Sequence, residues 1–572
     1  MGARSGLLPV LAGLVLAGLV LAGPCGADPP PPEAATGYAL QPPAEGRRFM
    51  AVTANPHATA AAVEMLRAGG SAVDAAIAAQ MVLGLVEPQS SGLGGGGLML
   101  FYDARNGRLR AWDGRETAPL AASARQLDDA AGRRLDFASA VRDPRAVGTP
   151  GLLAMLGQAH RAAGRLPWAQ LFDPAIRLAE AGFPVSPRLH ALLALEGGFA
   201  DPAAQALFFD AAGRPWPVGH RLRNPALARS LRLVAAEGPR ALYRGELAGL
   251  VRDALRGELP ADEADRRGLL GYPDLATYRP VERAALCRPF RSYRVCGFPP
   301  PSSGATTVLA TLGIWRRLPP GPAGDAAFIH RFAEAGRLAY ADRAACVGDP
   351  AAVAVPVEAM LDGRYLARRA QTIGPRAGPP QRSAGRCGEG GEADAERPST
   401  SHLSIVDGFG NGVALTSSIE DAFGNRRLAG GFFLNNQLTD FSAEGPNRIA
   451  PGKRPRSSMA PTVVFDRRGL YALLGSPGGS QIPNFVSQAL IGLLDGRMPP
   501  QEVVAQPRVG SRNGPTEVER GRVGVEVIEA LRARGHTVRE VEMTSGIALV
   551  VRSGRGWVGV ADPRREGTAG GD

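Results

Sequence analysis

The character of the sequence changes at residue 400, and this boundary limits how the chain can fold. Residues 379–399, PPQRSAGRCGEGGEADAERPS, contain few apolar side chains and many Gly, Pro and charged residues, so they can neither be buried nor sustain a helix. From Thr400 onward apolar and polar residues alternate, with Leu403 and Ile405 on one face. Alternation of this kind is typical of a β-strand. The sequence therefore predicts a disordered tract that ends abruptly at the start of a buried strand.

Hairpins dominate the chain after this boundary. Residues 401–418 predict a strand, a turn at GFGN and a second strand, and residues 461–476 and 547–562 repeat the arrangement. Two helical segments, at residues 483–496 and 522–535, separate the hairpins. These elements predict antiparallel sheets covered by helices, and therefore an α+β fold class.

Helices dominate the chain from about residue 50 to residue 378. Residues 57–70 place apolar side chains on one stripe and end in a Gly pair. Ser71 then caps residues 72–87, which are apolar nearly all round. A helix without a polar face is expected to lie in the core.

The N-terminus has the parts of a secretory signal peptide. Arg4 provides positive charge, residues 6–23 form an apolar stretch, and the small residues of PCGAD suit cleavage near Ala27. An uncleaved membrane anchor is the alternative, whereas a lipidated Cys25 fits poorly because a Pro precedes it. We predict that residues 1–27 are removed and that the mature protein is secreted to the periplasm without a stable membrane span.

The four remaining cysteines are an even number, which permits disulfides in an oxidising compartment. Cys287 and Cys296 would bridge neighbouring strands across RPFRSY, and the other two are Cys346 and Cys387. Buried free thiols are an equally compatible interpretation. The sequence has no CxxC motif and no Cys/His cluster, so no metal site is predicted.

The charge of the chain does not indicate nucleic-acid binding. The 65 Lys and Arg residues exceed the 54 Asp and Glu residues, which gives a net charge of +11. The basic residues are nearly all Arg, however, and they are scattered among acidic residues without a basic run or interleaved aromatics. We attribute the excess to a compositional bias and predict no nucleic-acid partner.

Two Gly-rich stretches raise the question of a ligand site. Residues 92–97, GLGGGG, follow a helix and precede a strand, which is the reverse of the order in a dinucleotide site. They predict close approach of the backbone to a ligand or to another strand. Residues 475–480, GSPGGS, follow a strand and precede a helix, so the amides of Gly478 and Gly479 can point at an oxyanion. A purely structural turn is the alternative.

A series of ordered segments resembles the gamma-glutamyltransferase family of N-terminal-nucleophile hydrolases. The resemblance extends from about residue 48 to the GVADPRR segment near the C-terminus. The segments are GGSAVDAAIAAQMVLGLVEPQSSGLGGGGLMLFYD, DGRETAP, PPPSSGATT, TSHLSIVDGFGN, FLNNQLTDFS, KRPRSSMAPT and GSPGGSQI.

The resemblance implies a four-layer αββα sandwich and a precursor that cuts itself between Ser399 and Thr400. The products are a large subunit, residues 28–399, and a small subunit, residues 400–572, which form a heterodimer and together one αββα domain. This cut explains the abrupt boundary, because a tail that ends beside the active site must move away after it is severed.

The family also implies a role for each matching residue. Thr400 is the nucleophile, activated by its own freed α-amine. The hydroxyl of Ser418 replaces that of a family Thr that bonds to the nucleophile. The backbone of Gly478 and Gly479 forms the oxyanion hole.

The resemblance further implies that the substrate-binding positions form a clamp for a zwitterion. A guanidinium binds the α-carboxylate of the donor bidentately, two serine hydroxyls assist it, and side-chain acceptors bind the α-ammonium. The guanidinium is that of Arg115. The serines are Ser457 and Ser458, and the acceptors are Glu420, Gln437 and Asp440.

Two departures from the family pattern bear on specificity. Glu420 stands where the family usually has an Asn, and its charge near Asp440 would tighten amino-acid binding or shift the substrate. Residues 442–458 are shorter than the loop that lids the pocket in many members. The shorter segment predicts a more open site that admits bulky donors or favours water as the acceptor.

The sequence therefore predicts a self-processing gamma-glutamyltransferase/hydrolase that cleaves glutathione and related amides through a γ-glutamyl-Thr400 intermediate. Water or an amino acid or peptide accepts the acyl group, and no metal or organic cofactor is required. One alternative is an acylase of the same fold that acts on glutaryl β-lactams or poly-γ-glutamate. Another is a non-catalytic periplasmic protein that binds amino acids through Arg115 and Asp440.

Overall fold

The computed structural model of the chain describes Gly2 and residues 37–256, 269–319, 321–322, 324–387 and 399–572. Apart from Gly2, the predicted signal peptide lies outside these ranges, as do residues 388–398 of the predicted disordered tract. No helix within the described ranges is both long enough and apolar enough to cross a membrane.

Strands and helices are numbered in chain order. The strands are β1 Ala44–Gly46, β2 Met50–Thr53, β3 Gly96–Asp103, β4 Arg108–Gly114, β5 Phe183–Pro184, β6 Arg221–Leu222, β7 Val281–Arg283, β8 Leu286–Phe290, β9 Tyr293–Gly297, β10 Ser401–Val406, β11 Gly412–Ser418, β12 Leu428–Ala429, β13 Phe432–Phe433, β14 Thr462–Asp466, β15 Gly469–Gly475, β16 Val509–Gly510, β17 Thr516–Glu519, β18 Val538–Val541, β19 Ala548–Ser553, β20 Gly556–Ala561 and β21 Thr568–Gly571. The helices are α1 Pro56–Arg67, α2 Ala72–Val86, α3 Phe137–Arg142, α4 Leu152–Ala163, α5 Asp173–Ala181, α6 Pro187–Glu196, α7 Pro202–Phe208, α8 Pro225–Glu237, α9 Arg240–Tyr243, α10 Glu246–Arg256, α11 Tyr272–Thr277, α12 Gly304–Trp315, α13 Ala326–Cys346, α14 Val357–Met360, α15 Gly363–Gln371, α16 Ile482–Leu490, α17 Pro500–Ala505 and α18 Val525–Ala533.

Two seven-stranded sheets form the centre of the molecule. The first has the order β1-β20-β19-β15-β14-β9-β8, and the second has the order β21-β2-β10-β11-β3-β4-β7. All neighbours within both sheets are antiparallel. Apolar residues from both sheets, among them Val52, Leu100, Val463 and Val550, form one buried cluster. The sheets therefore pack face to face, as in other two-sheet cores.

Helices cover the outer face of each sheet. Residues of α1, α2, α4, α5 and α8 share a buried cluster with Leu403 and Ile405 of the second sheet. Residues of α12, α13 and α16 share another cluster with Val464 and Leu549 of the first sheet. The layers are helix, sheet, sheet and helix, so the predicted α+β class and the four-layer αββα sandwich are confirmed.

The hairpin at the sequence boundary follows the predicted alternation. Strand β10 pairs with β11 from Ser401↔Ser417 to Val406↔Gly412. Leu403 and Ile405 pack against the helices, whereas Val406 lies between the sheets. The other two predicted hairpins are β14–β15 and β19–β20. The chain therefore places Thr400 directly before a central strand.

The predicted cap at Ser71 fixes the start of the buried helix α2. Ser71 Oγ accepts a hydrogen bond from the backbone N–H of Asp74 at 3.2 Å, and the Asp74 carboxylate accepts from the N–H of Ser71 at 2.8 Å. This reciprocal pair satisfies two amides that have no partner inside the helix. Every residue of α2 except Gly84 is buried, as predicted for a core helix.

Residues 92–97 allow close approach of backbones. Gly94 forms a bridge with Leu434. A Cβ on Gly95 would lie 2.2 Å from the carbonyl oxygen of Ser418, so any side chain there would push the two segments apart. Of the two predicted uses of this stretch, the approach is to another strand.

Both pairs of cysteines form disulfides. Cys287–Cys296 joins β8 to β9, with an S–S distance of 2.06 Å, and is the predicted cross-strand pair. Cys346–Cys387 joins the end of α13 to the segment before the boundary, with an S–S distance of 2.03 Å. The alternative of buried free thiols is therefore wrong.

We expect loss of the Cys346–Cys387 disulfide to destabilise the protein more than loss of Cys287–Cys296. The two bonds span 41 and 9 residues of sequence. In the chain-entropy model, loops of these lengths correspond to about 4 and about 3 kcal/mol. Thermal unfolding of the two paired Cys→Ala variants measures the difference, and equal or reversed shifts in Tm would contradict it.

Candidate active site

A narrow cavity of about 20 Å³ lies where Thr400 precedes β10 and Ser418 ends β11. Two of the predicted site residues, Ser399 and Gly478, do not line it but are chain neighbours of residues that do. The lining residues are Arg115, Thr400, Ser418, Glu420, Gln437, Asp440, Ser457, Ser458, Met459, Gly479 and Ile482. The fold thus brings the predicted site residues together from distant parts of the chain.

The Thr400 hydroxyl faces the peptide bond that precedes it. Thr400 Oγ1 donates to the carbonyl oxygen of Ser399 at 2.6 Å, and Ser418 Oγ donates to the same oxygen at 2.7 Å. The two hydroxyl oxygens are 3.4 Å apart. Two donors on one carbonyl oxygen polarise the C=O bond, which favours nucleophilic attack on the Ser399 carbonyl carbon.

A strained turn follows β11 and fixes Glu420. Glu420 has φ of 80°, in the left-handed region, which costs free energy for a residue with a side chain. Its N–H donates to Ser418 Oγ at 2.9 Å. Its carboxylate accepts from Asn436 Nδ2 at 2.7 Å. These contacts hold the carboxylate at the wall of the cavity.

A guanidinium and a carboxylate meet inside the cavity. Arg115 Nη2 donates to Asp440 Oδ2, and Gln437 Nε2 donates to the same oxygen at 2.5 Å. The charged side chains are only 1% and 4% exposed. Arg115 also donates to the carbonyl oxygens of Arg456 at 2.9 Å and Pro455 at 3.3 Å. Because buried charges are costly unless they are paired, Arg115 and Asp440, the two charged ends of the predicted clamp, neutralise each other.

Residues 442–458 fold back onto the site. Asn447 Nδ2 donates to the carbonyl oxygen of Asp440 at 2.7 Å, and Asn447 Oδ1 accepts from the N–H of Arg456 at 2.7 Å. One side chain therefore ties both ends of the segment to the clamp. The prediction of a more open site than in members with a longer lid stays a prediction.

The turn at residues 475–480 presents two backbone amides. Gly478 and Gly479 have φ of 130° and 54°, which favour glycine. A Cβ on Gly478 would also lie 2.6 Å from the ring of Phe485. Neither glycine N–H donates to a protein acceptor in the described part of the chain. The predicted order of strand, turn and helix is confirmed, since β15 precedes this turn and α16 follows it.

The two serines of the cavity are held from behind. Ser303 donates twice to the carbonyl oxygen of Ser457, through N–H and Oγ, both at 2.7 Å. Arg343 Nη2 donates to Ser458 Oγ at 2.6 Å. The segment PPPSSGATT, residues 299–307, therefore supports the site, although no role was predicted for it.

The residues that support the cavity from outside it were not predicted from the sequence. Asn436 and Arg343 hold Glu420 and Ser458, and Arg565 Nη1 donates to the carbonyl oxygen of Thr400 at 3.3 Å. Asn436 lies within the FLNNQLTDFS motif and Arg565 at the end of GVADPRR, so motif membership was an available signal for both. Arg343 lies in a helix whose sequence resembles that of any buried helix, and no signal marked it.

His402 follows Thr400 by two residues but is uncharged. Burial lowers its pKa to about 3. Its ring nitrogens lie 2.8 Å from Thr416 Oγ1 and 3.1 Å from Ser404 Oγ. The imidazole is thus a neutral link between strands rather than a base for Thr400.

Glu116, the neighbour of Arg115, is buried without a hydrogen bond to either carboxylate oxygen among the described residues. Burial raises its pKa to about 8, although the Arg115 guanidinium opposes the shift from 3.6 Å. The carboxyl is therefore protonated at neutral pH, which leaves Asp440 as the counter-charge of Arg115.

We expect Glu116→Gln to reduce the loss of stability that occurs as the pH rises from 4.5 to about 8. The pKa of Glu116 rises from 4.5 to about 8 on folding, so its contribution to stability is complete below pH 4.5 and is lost as the pH rises to about 8. Glutamine does not titrate. The Tm of the variant minus that of the wild type should grow through this window and then level off, whereas a difference independent of pH would contradict the assignment.

The site combines three features within an αββα sandwich: a hydroxyl directly before a central strand, a polarised peptide bond before that hydroxyl, and two backbone amides at the start of a helix. Together they define the class of N-terminal-nucleophile hydrolases. The family model for gamma-glutamyltranspeptidase matches residues 58–571. The chain belongs to the gamma-glutamyltranspeptidase family, as its motifs predicted.

Relatives of known name include two kinds of enzyme. The acylase ACY 1 proenzyme of Pseudomonas sp. (strain SE83) is 36% identical, and the match covers 94% of this chain and 96% of that protein. The glutathione hydrolase proenzyme of Escherichia coli (strain K12) is 33% identical, with 93% and 94% covered. The crystal structure of cephalosporin acylase from Bacillus halodurans has a TM-score of 0.81 at 27% identity, with 93% and 97% covered. Because the chain belongs to an enzyme family, the alternative of a non-catalytic binding protein is wrong.

Proposed function

We propose that the chain is a self-processing γ-glutamyl hydrolase and transferase that acts on glutathione and related γ-glutamyl amides. The observation that carries the proposal is the presence of Arg115, Asp440 and Thr400 in one cavity. A γ-glutamyl group has a carboxylate and an ammonium at one end and a reactive carbonyl at the other. Opposite charges at one end of a site and a hydroxyl nucleophile at the other match that pattern and orient the carbonyl for attack.

The first reaction is maturation of the precursor. Thr400 Oγ1 attacks the Ser399 carbonyl carbon, its proton passes to the amide nitrogen, and the C–N bond breaks. The product is an ester between Ser399 and the Thr400 side chain, with a free Thr400 α-amine. Water then hydrolyses the ester to a Ser399 carboxylate and a Thr400 hydroxyl. The resulting chains, residues 28–399 and 400–572, form the heterodimer.

Donor binding follows the charges of the cavity. The α-carboxylate binds Arg115, and the α-ammonium binds Asp440. The donor therefore inserts into an ion pair that already exists and replaces one pairing by two, so both buried charges stay compensated. Further hydrogen bonds come from the two serines on the carboxylate side and the two acceptors on the ammonium side, namely Ser457, Ser458, Gln437 and Glu420.

Acyl transfer uses the freed amine of Thr400 as the base. The amine takes the proton of the Thr400 hydroxyl, and Oγ1 attacks the γ-carbonyl carbon. The N–H groups of Gly478 and Gly479 stabilise the oxyanion. The amine leaving group takes the proton from the Thr400 ammonium and departs, which leaves the γ-glutamyl ester. Water or an amino acid or peptide then receives the γ-glutamyl group.

We infer that residues 1–27 are a signal peptide and that the mature protein lies in the periplasm. The charged, apolar and small-residue parts of the N-terminus support this inference. Two disulfides support it independently, because such bonds persist in oxidising compartments.

Steady-state rates with γ-glutamyl anilide and glutaryl anilide test the substrate. A glutaryl group lacks the ammonium and leaves Asp440 and Glu420 without that partner. We expect the processed protein to prefer the γ-glutamyl donor by at least about 10³-fold in kcat/KM, because sites built to bind a polar group reject analogues that lack it. An added dipeptide that increases aniline release identifies transfer, and failure to hydrolyse either donor would contradict the proposal.

An acylase for glutaryl amides is the second candidate. Two observations favour it: the acylase relative at 36% identity, and Asp440 Oδ2, which already accepts hydrogen bonds from Arg115 and Gln437. A glutaryl group would need only the guanidinium. A preference for glutaryl anilide in the same assay selects this function.

A further inference from the structure

The segment PPPSSGATT and the buried Arg343 of helix α13 have no part in the proposed mechanism. We propose that Arg343 is a positioning residue for the substrate carboxylate, because it fixes the direction of the Ser458 hydroxyl hydrogen. The inference rests on the proposed function, since it needs a donor whose carboxylate lies against Ser458.

The guanidinium of Arg343 is held as a planar fork. Arg343 is 1% exposed. Its Nε donates to Ser303 Oγ and its Nη2 to Ser458 Oγ, both at 2.6 Å. The ring of Tyr340 lies beside the guanidinium, with its centroid 5.8 Å from Cζ. A guanidinium fixed in this way directs its N–H groups along set lines, which the flexible ammonium of a lysine does not.

The direction of each hydrogen bond follows from the chemistry of arginine. A guanidinium donates hydrogen bonds and cannot accept them. Ser458 Oγ must therefore accept from Arg343, and its own hydrogen points elsewhere. No acceptor among the described residues receives that hydrogen. Since Ser458 lines the same cavity as Arg115, the hydrogen is available to a carboxylate bound there.

The neighbouring Ser457 has the same arrangement with a different donor. Its Oγ accepts from the N–H of Met459 at 3.1 Å, and its carbonyl oxygen accepts twice from Ser303. Ser303 Oγ is also the second acceptor of Arg343, so the arginine is linked to the Ser457 backbone through Ser303. A Cβ on Gly304 would lie 2.5 Å from the Met459 carbonyl oxygen, which explains the glycine in PPPSSGATT.

Arg343 also places a positive charge behind the serine. A hydrogen bond from a charged donor polarises the hydroxyl that accepts it and makes that hydroxyl a stronger donor in turn. The carboxylate would thus meet Arg115 directly and Arg343 through Ser458. Because Arg343 donates to Ser303 and Ser458, neither of which is the nucleophile, its effect is expected in donor binding rather than in the acyl-transfer step.

Kinetics of Arg343→Lys, Ser458→Ala and the double variant with γ-glutamyl anilide test the inference. Lysine keeps the positive charge, but its single ammonium cannot donate to Ser303 and Ser458 in the fixed planar geometry of a guanidinium. Each single change should raise KM by about 10-fold, as expected for loss of a charge-assisted hydrogen bond, and leave kcat within about 3-fold. The double variant should have nearly the KM of the worse single variant, because both changes break one chain of contacts. Additive effects, or a loss confined to kcat, would overturn the inference.

A donor with a carboxamide in place of its α-carboxylate distinguishes the positioning role of Arg343 from a purely structural one. Wild type and Arg343→Lys should then differ by less than about 2-fold in kcat/KM, and persistence of the 10-fold gap would overturn the inference. Arg337→Lys is the matched control, since Arg337 is also buried on α13 but pairs with Glu334. It should leave KM unchanged.

If Arg343→Lys does not fold, Ser303→Ala provides an alternative test of the inference. It removes one anchor of the guanidinium with little change in volume, and it should raise KM by about 3-fold with kcat unchanged. An unchanged KM in that variant would overturn the inference. An inactive wild type would instead refute the proposed function, whereas an active wild type with additive variants refutes only the role of Arg343.

Discussion

Replacement of Thr400 by alanine is expected to leave one uncleaved chain without measurable amidase activity. In the proposed mechanism Thr400 Oγ1, which donates to the Ser399 carbonyl oxygen at 2.6 Å, both cuts the precursor and carries the acyl intermediate. Alanine can perform neither step. Removal of a nucleophile of this kind lowers kcat by about 10⁶-fold. Denaturing electrophoresis should show two fragments for the wild type and one chain for the variant.

Two variants and the fragment termini sharpen this test. Thr400→Ser keeps the hydroxyl and should still cleave. Ser399→Ala keeps the scissile carbonyl and loses only the hydroxyl that donates to the Gln89 carbonyl oxygen, so it should cleave as the wild type does. N-terminal sequencing of the wild type should read TSHLS for the small fragment and a start near Asp28 for the large one. Cleavage at this bond in Thr400→Ala, or full activity without cleavage, would contradict the nucleophile assignment.

Local pattern was sufficient to predict the hairpins because they join neighbours in sequence. The alternation around Leu403 and Ile405 defines which face of β10 meets the helices, and the turn GFGN defines its partner β11. The same reasoning gives no information about pairs that are distant in sequence. Strand β1 pairs with β20, and β2 pairs with β21, so the first two strands described pair with the last two. The resemblance to a family implied the four layers, and neither it nor periodicity gave the order of the strands.

The composition of the site was predictable, but its electrostatics were not. Family motifs named nearly every lining residue of the cavity. They could not show that Arg115 and Asp440 pair directly, or that Glu116 is neutral, because both properties depend on burial and on distances between segments. Glu116 and Arg115 are adjacent in sequence and would suggest an ion pair. Burial reverses this expectation, since desolvation outweighs the attraction.

Arg115→Lys is expected to lower kcat/KM by about 10²- to 10³-fold with either a γ-glutamyl or a glutaryl donor, since truncating a buried, hydrogen-bonded charge pair typically costs about 2–5 kcal/mol. The guanidinium binds Asp440 and the carbonyl oxygens of Arg456 and Pro455 at once. A single ammonium cannot satisfy these partners and also grip a carboxylate in two places. Initial rates over a range of donor concentrations, on variant protein shown to be cleaved, measure the loss.

Arg110→Lys is the matched control because Arg110 lies on the same strand, β4, and pairs with Glu282 at 2.6 Å near the surface. Exposed ion pairs contribute little, so this variant should change kcat/KM by less than about 2-fold. Equal losses in both variants would mean that strand β4, and not the clamp, determines the rate.

Because the α-carboxylate is common to both candidate donors and the ammonium is not, loss of Arg115 should affect both reactions, whereas Asp440→Asn should affect only cleavage of the γ-glutamyl donor. That contrast assigns each charge of the clamp to one group of the substrate.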